Sequence, residues 1–373
     1  MFLREVEQQV QKHIDTGNSK ILFLWGPRRA GKTTILKKFA KNLGVPFFNF
    51  DLISDREVFS LNREALAKLS ELPYILIDEV QNYPESSLAL KILYDEFGAK
   101  IIATGSSELR ATGQNADTLA GRFRTLHCLP LSLKEILNNT EFEAYREEEV
   151  RRETINKLML FGGYPEVYLL ESEEEKRELL ENLLSTFVLK DVIDLYNLKN
   201  AKLALDLLTR LAVMLGRELS IREIAAHLNA NAGTVTNYLE IFTKNYVLLP
   251  VPALKIDGRR SVGENKKYYF LDLGLRNLLV RDFRPLNLRV DAKAILENIL
   301  VSELTKEFQN KKTGQELSFY REYAGRGVDL VISDFQKNYT CISVGKAQEN
   351  SFPLKHTSQF VADETGIPNL LFS

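Results

Sequence analysis

Gly26-Pro27-Arg28-Arg29-Ala30-Gly31-Lys32-Thr33 follows the apolar run Ile21-Leu22-Phe23-Leu24-Trp25 and opens a helix-period stretch from about Lys32. A strand, a loop of GxxxxGK[ST] spacing and a helix form the context in which such a loop binds phosphate. Glycines let the backbone curl so that its N–H groups and the helix N-terminus face phosphate oxygens. Lys32 then reaches the β and γ phosphates as a point charge, and the Thr33 hydroxyl, with Thr34 beside it, lies where a magnesium ion would sit. The implied ligands are ATP and Mg2+.

Outward from this loop, apolar runs of strand length alternate with helix-period stretches: VPFFNF, then YILIDEV, then KIIATG. That alternation predicts an α/β domain with a parallel sheet covered by helices. Asp78 and Glu79 end the run Tyr74-Ile75-Leu76-Ile77, and acids at the carboxyl edge of such a sheet lie where its ligands bind. Asp78 is expected to hold the magnesium, usually through water, and Glu79 to accept a proton from the attacking water. The next strand ends in Thr104-Gly105-Ser106, where either hydroxyl, Thr104 or Ser106, could touch the γ-phosphate or the lytic water.

The chain has 373 residues, enough for two or three cores, and 45% apolar with 27% charged residues is the mixture of an ordinary globular protein. A net charge of -1 excludes a polycation built to coat nucleic acid, so any polyanion site must be local. Two lone cysteines, Cys128 and Cys341, offer neither a disulfide framework nor a zinc site and fit a reducing compartment. No apolar run reaches the ~18 residues of a membrane span, and a cytoplasmic protein is the expectation. The four histidines, His13, His127, His227 and His356, show no metal-ligand spacing.

Residues 201–290 are the basic part of the chain, with 14 lysines and arginines against 8 acids. Ser220-Ile221-Arg222-Glu223 is a capping box opening a helix that ends near Leu228, and a turn leads to a second helix from about Thr234. Thr234, Thr236, Asn237 and Tyr238 fall near the start of that helix, where a recognition helix meets DNA. The following stretch reads as a hairpin with Arg259, Arg260, Lys266 and Lys267 near its tip. The pattern is that of a winged helix, with DNA binding through helix and wing as the functional reading and protein interaction as the alternative.

GPRRAGKTT, YILIDEV, ATGSSEL, LAGRFRTLHCLPLSLKE and FGGYPEV, in that order, resemble the prokaryotic AAA+ ATP-binding proteins, including the archaeal ATPases, that carry a C-terminal domain of unknown function. The resemblance covers nearly the whole chain. It implies an AAA+ P-loop domain over 1–145, a helical lid or linker over 146–200, the winged helix-turn-helix over 201–290, and a restriction-endonuclease-like domain over 291–373. By it, Lys32 and Thr33 are Walker A, Asp78 and Glu79 Walker B, and Thr104 or Ser106 the sensor. Arg122, in LAGRF, falls where the family carries an arginine beside the nucleotide or a subunit interface; Arg124 competes for the role, and anchoring a carboxylate is the structural alternative. Gly162-Gly163-Tyr164-Pro165 reads as a structural turn. In the tail, Glu297 and Asp329 fit two places of a nuclease metal site, but Ser343 stands where a third acid is needed and Lys346 is displaced by one residue, which on a strand flips it to the other face. A degenerate, non-cleaving domain is expected, and the whole chain is expected to couple ATP hydrolysis to DNA or, alternatively, to a protein partner.

Overall fold

The computed structural model describes residues 2–106, 119–186, 200–255, 265–321 and 327–345, together with the backbone of residues 358–362. Arg259, Arg260, Lys346 and His356 lie outside the described residues. The chain divides into two compact units, residues 1–129 and 130–373.

The first unit runs α1 (Glu5–Asp15), β1 (Ile21–Trp25), α2 (Lys32–Leu43), β2 (Phe47–Asn49), α3 (Ile53–Val58), α4 (Arg63–Ser70), β3 (Ile75–Asp78), α5 (Ser86–Asp95), β4 (Ile101–Gly105) and β5 (Phe123–His127). Its sheet is parallel throughout, in the order β2-β3-β4-β1-β5. β1, β3 and β4 are buried at every position, as their unbroken apolar runs require of strands covered on both faces. On one face Leu22, Leu24, Leu76, Ile102 and Leu126 pack with Ile35, Leu36 and Phe39 of α2 and with Val6 and Val10 of α1. β1 is flanked by β4 and β5, so the β4-to-β5 connection passes over it. A crevice at the carboxyl ends of such flanking strands is where open α/β sheets take ligands.

The second unit continues with α6 (Leu133–Asn138), α7 (Glu147–Phe161), α8 (Pro165–Leu169), α9 (Glu173–Leu183), α10 (Ala201–Val213), β6 (Glu218–Leu219), α11 (Ile221–His227), α12 (Ala232–Lys244), β7 (Leu248–Pro252), β8 (Lys266–Phe270), α13 (Leu273–Val280) and α14 (Ala292–Lys311). It ends with β9 (Glu316–Arg321), β10 (Gly327–Ser333), β11 (Tyr339–Val344) and β12 (Ser358–Ala362). The run Glu147-Glu148-Glu149 forms the first turn of α7, where carboxylates complement the helix dipole. Gly162 has φ +76°, and a Cβ there would lie 2.0 Å from the Asp272 carboxylate. Gly163 N donates to Asp272 Oδ2 at 2.7 Å, and the same carboxylate caps α13 through Gly274 N (2.9 Å) and Leu275 N (3.3 Å). The Gly-Gly-Tyr-Pro turn is thus a seat for a buried carboxylate, and burial holds that carboxyl above the usual range.

Ser220 caps α11 and Asn231 caps α12, whose first residue is Ala232. β6, β8 and β7 form a three-stranded antiparallel sheet in that order. A second sheet has the order β12-β11-β10-β9, with β11 and β12 parallel and the other pairs antiparallel. The register of β10 against β9 shifts between Val328 and Val331, the stretch that holds Asp329. Among the described residues no helix is long and apolar enough to cross a membrane.

Candidate functional site

Gly26 sits against the Cys128 carbonyl, 2.0 Å from where a Cβ would be, so only glycine lets the loop leave β1 on this path. Gly31 takes φ +104° at the N-cap of α2, and Arg29 is left-handed at φ 58°. Helix α2 therefore begins at the loop with the amides of Lys32, Thr33 and Thr34 in its first turn, where no intrahelical carbonyl can receive them. Lys32 is 4% exposed and its ammonium donates to the carbonyls of Gly26 and Pro27 at 2.8 Å each. Burial pushes this lysine below its ordinary range, while the nearby Glu79, Cys128 and Asp78 oppose the shift.

Asp78 closes β3, and β4 lies between it and the loop strand β1. Its Oδ2 accepts from Thr33 Oγ1 at 2.7 Å and its Oδ1 from Thr104 Oγ1. Thr104 is paired with Leu24 across β4 and β1, and its oxygen also accepts from Glu79 N at 3.3 Å. Glu79 is left-handed (φ 54°, ψ 45°), a conformation that costs a non-glycine residue roughly 1–2 kcal/mol and that gathers at functional sites. The turn brings the Glu79 carboxylate to Gln81 Nε2, which also donates to Ser106 Oγ at 3.1 Å. The two candidate hydroxyls thus divide: Thr104 touches Asp78, and Ser106 touches the side chain that holds Glu79. Gln81 and Arg4, whose guanidinium reaches the Ala30 carbonyl at 2.8 Å, had no motif to point to them.

Arg122 stands apart from this cluster. It precedes β5, and its carbonyl receives Ile21 N at the amino end of β1, whereas the loop leaves the carboxyl end. Five strand residues separate the two edges by roughly 15 Å. Its guanidinium pairs with Asp95 at 2.7 Å, the carboxylate-anchoring arrangement.

In the second unit, a groove of about 560 Å3 runs between the α11/α12 pair and the β7–β8 hairpin, and Arg222, Thr236, Thr243, Lys244, Lys266 and Tyr268 line it. Asn237 is exposed, and Thr234 and Thr236 are partly so; Thr236 Oγ1 donates to the Ala232 carbonyl at 3.0 Å. Two residues expected at the surface, Tyr238 and Lys267, are buried. Tyr238 is 4% exposed, because the helix turns it inward beside Leu239. Lys267 is 3% exposed, and its ammonium binds Glu297 Oε1 at 2.7 Å while lying 5.1 Å from the Phe319 ring centroid. Period-two geometry places Tyr269 on the same face of β8, and its hydroxyl donates to the same Glu297 oxygen. Glu297, the helix acid of the expected nuclease site, is therefore taken up by a lysine and a tyrosine. Asp329 accepts from Val344 N at 2.9 Å and lies 3.4 Å from Lys293 Nζ. Among the described residues no group of three or more His, Cys, Asp or Glu could hold a metal.

Residues 18–137 match the family described as an AAA domain, and residues 152–289 match a domain of unknown function, DUF8612. Uncharacterized protein MJ1544 of Methanocaldococcus jannaschii is 26% identical over 343 residues, covering 87% of this chain and 74% of the relative. An uncharacterized protein of Haemophilus influenzae is 23% identical over 344 residues, covering 87% and 84%. Among solved structures, the Aeropyrum pernix ORC1 protein in complex with DNA is similar at 15% identity, 76% and 93% coverage and a TM-score of 0.30. A RuvB variant of Thermotoga maritima follows at 13%, 67% and 90%, with a TM-score of 0.31. Scores of that size do not establish a shared arrangement of whole chains. The AAA match and the parallel sheet with its loop-to-helix site coincide in the first unit, whose fold is that of a P-loop AAA domain.

Proposed function

We propose that the protein is a cytoplasmic, magnesium-dependent ATPase in which turnover switches the arrangement of the second unit and its hold on DNA. One observation carries the hydrolytic half of this reading: Thr33, Asp78, Thr104 and Glu79 converge at the carboxyl edge of the sheet through Asp78. Thr33 and Asp78 present hard oxygen donors within 2.7 Å of each other, the kind magnesium takes, and would hold the ion with phosphate oxygens and water. When bound, the ion supplies neutralisation of charge on the β and γ phosphates. Lys32 would exchange its loop carbonyls for phosphate. Glu79, released from Gln81, would orient the attacking water and take its proton. Thr104, bonded to Asp78 and to the Glu79 amide, is the better placed of the two hydroxyls to sense the γ-phosphate. A role for Arg122 at a nucleotide would require a second copy of the chain, since it stands at the far edge of its own sheet.

DNA is the proposed partner of the α11/α12 pair and the hairpin, read as a winged helix. Support comes from the groove's three cations, Arg222, Lys244 and Lys266, beside the Thr234, Thr236 and Asn237 helix start. Phosphate contacts of this kind give binding that weakens steeply with salt. The burial of Lys267 and Tyr238 removes two of the contacts and favours, as the second reading, a nucleotide-controlled protein-interaction module. The tail would serve as a scaffold, its Glu297 neutralised by Lys267, and not as a nuclease.

The test is steady-state ATP turnover with magnesium, with and without duplex DNA at low salt, using Lys32→Ala as the blank. DNA-stimulated turnover supports the coupled switch. Turnover indifferent to DNA, with no salt-sensitive DNA binding, refutes the coupling and leaves the protein-partner module. No turnover above the blank refutes the ATPase.

A further inference from the structure

A loop that turns its N–H groups toward an anion turns carbonyls away from it, and carbonyls buried behind the loop need donors of their own. Lys32 serves the carbonyls of Gly26 and Pro27. The carbonyl of Ala30, a residue with no exposed surface, is served from behind by Arg4 Nη1 at 2.8 Å, and Cys128 Sγ lies 3.3 Å from the same oxygen. The other arm of the guanidinium, Nη2, donates to the Leu129 carbonyl at 2.6 Å. Leu129 is the last residue of the first unit. One fork therefore ties the nucleotide loop to the chain where it leaves the ATPase domain. Around it, Cys128 N donates to the Trp25 carbonyl at 2.7 Å, and the Cys128 carbonyl lies against Gly26.

Arg4 is 5% exposed and is fixed by its own helix. Its backbone N–H donates to Glu7 Oε1 at 3.4 Å, and the Glu7 carboxylate pairs with Lys38 of α2. Val6 and Val10 of α1 are buried in the same core as Ala30 and Ile35.

We propose that Arg4 is a positioning residue for nucleotide binding, holding the phosphate loop open in its anion-receiving shape while Lys32 transfers from loop carbonyls to phosphate. The inference rests on residues 26–33 being a phosphate loop. Lys32 cannot serve Gly26, Pro27 and a phosphate with undiminished bonds, whereas the guanidinium can go on fastening the loop's backbone at Ala30 in the bound form. Without it, the Ala30 carbonyl loses a charged donor and is left with the Cys128 thiol, a weak one, and the loop's tie to Leu129 is gone. Lysine at this position could reach one carbonyl but not fork to two.

The test measures binding of a fluorescent ATP analogue with magnesium, and the kcat and KM of turnover, for the full chain and for Arg4→Ala, Arg4→Lys and Glu7→Gln. Arg4→Ala is expected to weaken binding and raise KM on the order of tenfold, the effect of losing a charge-assisted hydrogen bond, with kcat within about twofold of the parent. Arg4→Lys should fall between parent and Arg4→Ala, and it carries the test alone if the alanine variant does not fold. Glu7→Gln, which loosens the helix that carries Arg4 but leaves the guanidinium fork in place, should lose less than Arg4→Ala. Parental affinity in Arg4→Ala, or an equal loss in Glu7→Gln, overturns the proposal. Amide hydrogen exchange over residues 26–33 in nucleotide-free protein reads the same role without ATP: faster exchange in Arg4→Ala is expected, and unchanged exchange overturns it. A chain that binds no nucleotide, yet shows that faster exchange, would sink the ATPase reading while leaving the Arg4 tie in place.

Discussion

Replacing Lys267 by methionine removes the ammonium from a carboxylate that cannot reach water: the two side chains are 3% and 6% exposed. Breaking one partner of such a buried pair costs about 3–5 kcal/mol, because the remaining charge is uncompensated. The Tyr269 hydroxyl, still donating to Glu297, trims the penalty but cannot neutralise the charge. Urea unfolding followed by circular dichroism at pH 7 is the assay. The expected result is a loss of about 3 kcal/mol or more, and the Lys267→Met/Glu297→Gln double variant should recover most of it. A single variant within about 1 kcal/mol of the parent, or a double variant that recovers nothing, would refute the reading that this lysine compensates a buried Glu297 charge.

Glu79→Gln should leave ATP affinity within a few-fold of the parent and cut turnover by about 100-fold or more, as measured by single-turnover hydrolysis; a parental rate removes Glu79 as the base. Thr104→Val takes away the hydroxyl between Asp78 and the Glu79 amide, and about 1–3 kcal/mol of stability together with at least tenfold in turnover should be lost; an unaffected turnover would make Thr104 purely structural. Burial pushes the Cys341 thiol up to about 11. The folded state therefore keeps its proton where the unfolded chain has lost it, stability should decline between about pH 9 and pH 11, and Cys341→Val should flatten that part of a urea-midpoint profile if the buried thiol is its cause.

The candidate site was legible because its parts are short-range in sequence. A loop between a strand and a helix fixes its own geometry, and Asp78 and Glu79 announce themselves as acids at the end of an apolar run. β5 was harder to see: Phe123-Arg124-Thr125-Leu126-His127 interrupts its apolar character with polar residues because, among the described residues, it is an edge strand paired to β1 alone. Its position mattered, since it sets Arg122 at the far edge of the sheet. Gln81 and Arg4 were illegible for a different reason. Each acts by reaching a backbone or side-chain partner brought close only by tertiary packing, Arg4 over 26 residues to Ala30 and over 125 to Leu129.

Lys267 shows how charge misleads when it is read without register. Lys266 and Lys267 are neighbours on one strand, so they must face opposite sides of the sheet, and only one of them can be a surface cation unless both faces are wet. The strand's continuation, Tyr268-Tyr269-Phe270, is apolar enough on both sides to say that neither face is wet for long. The inward lysine then needs an acid, and the chain supplies one on α14, 30 residues later. A carboxylate held by a fixed ammonium and a tyrosine hydroxyl is not available to a dication. A buried acid is tolerable only when it is paired, and here the lysine that pairs with Glu297 is also what seats β8 on α14.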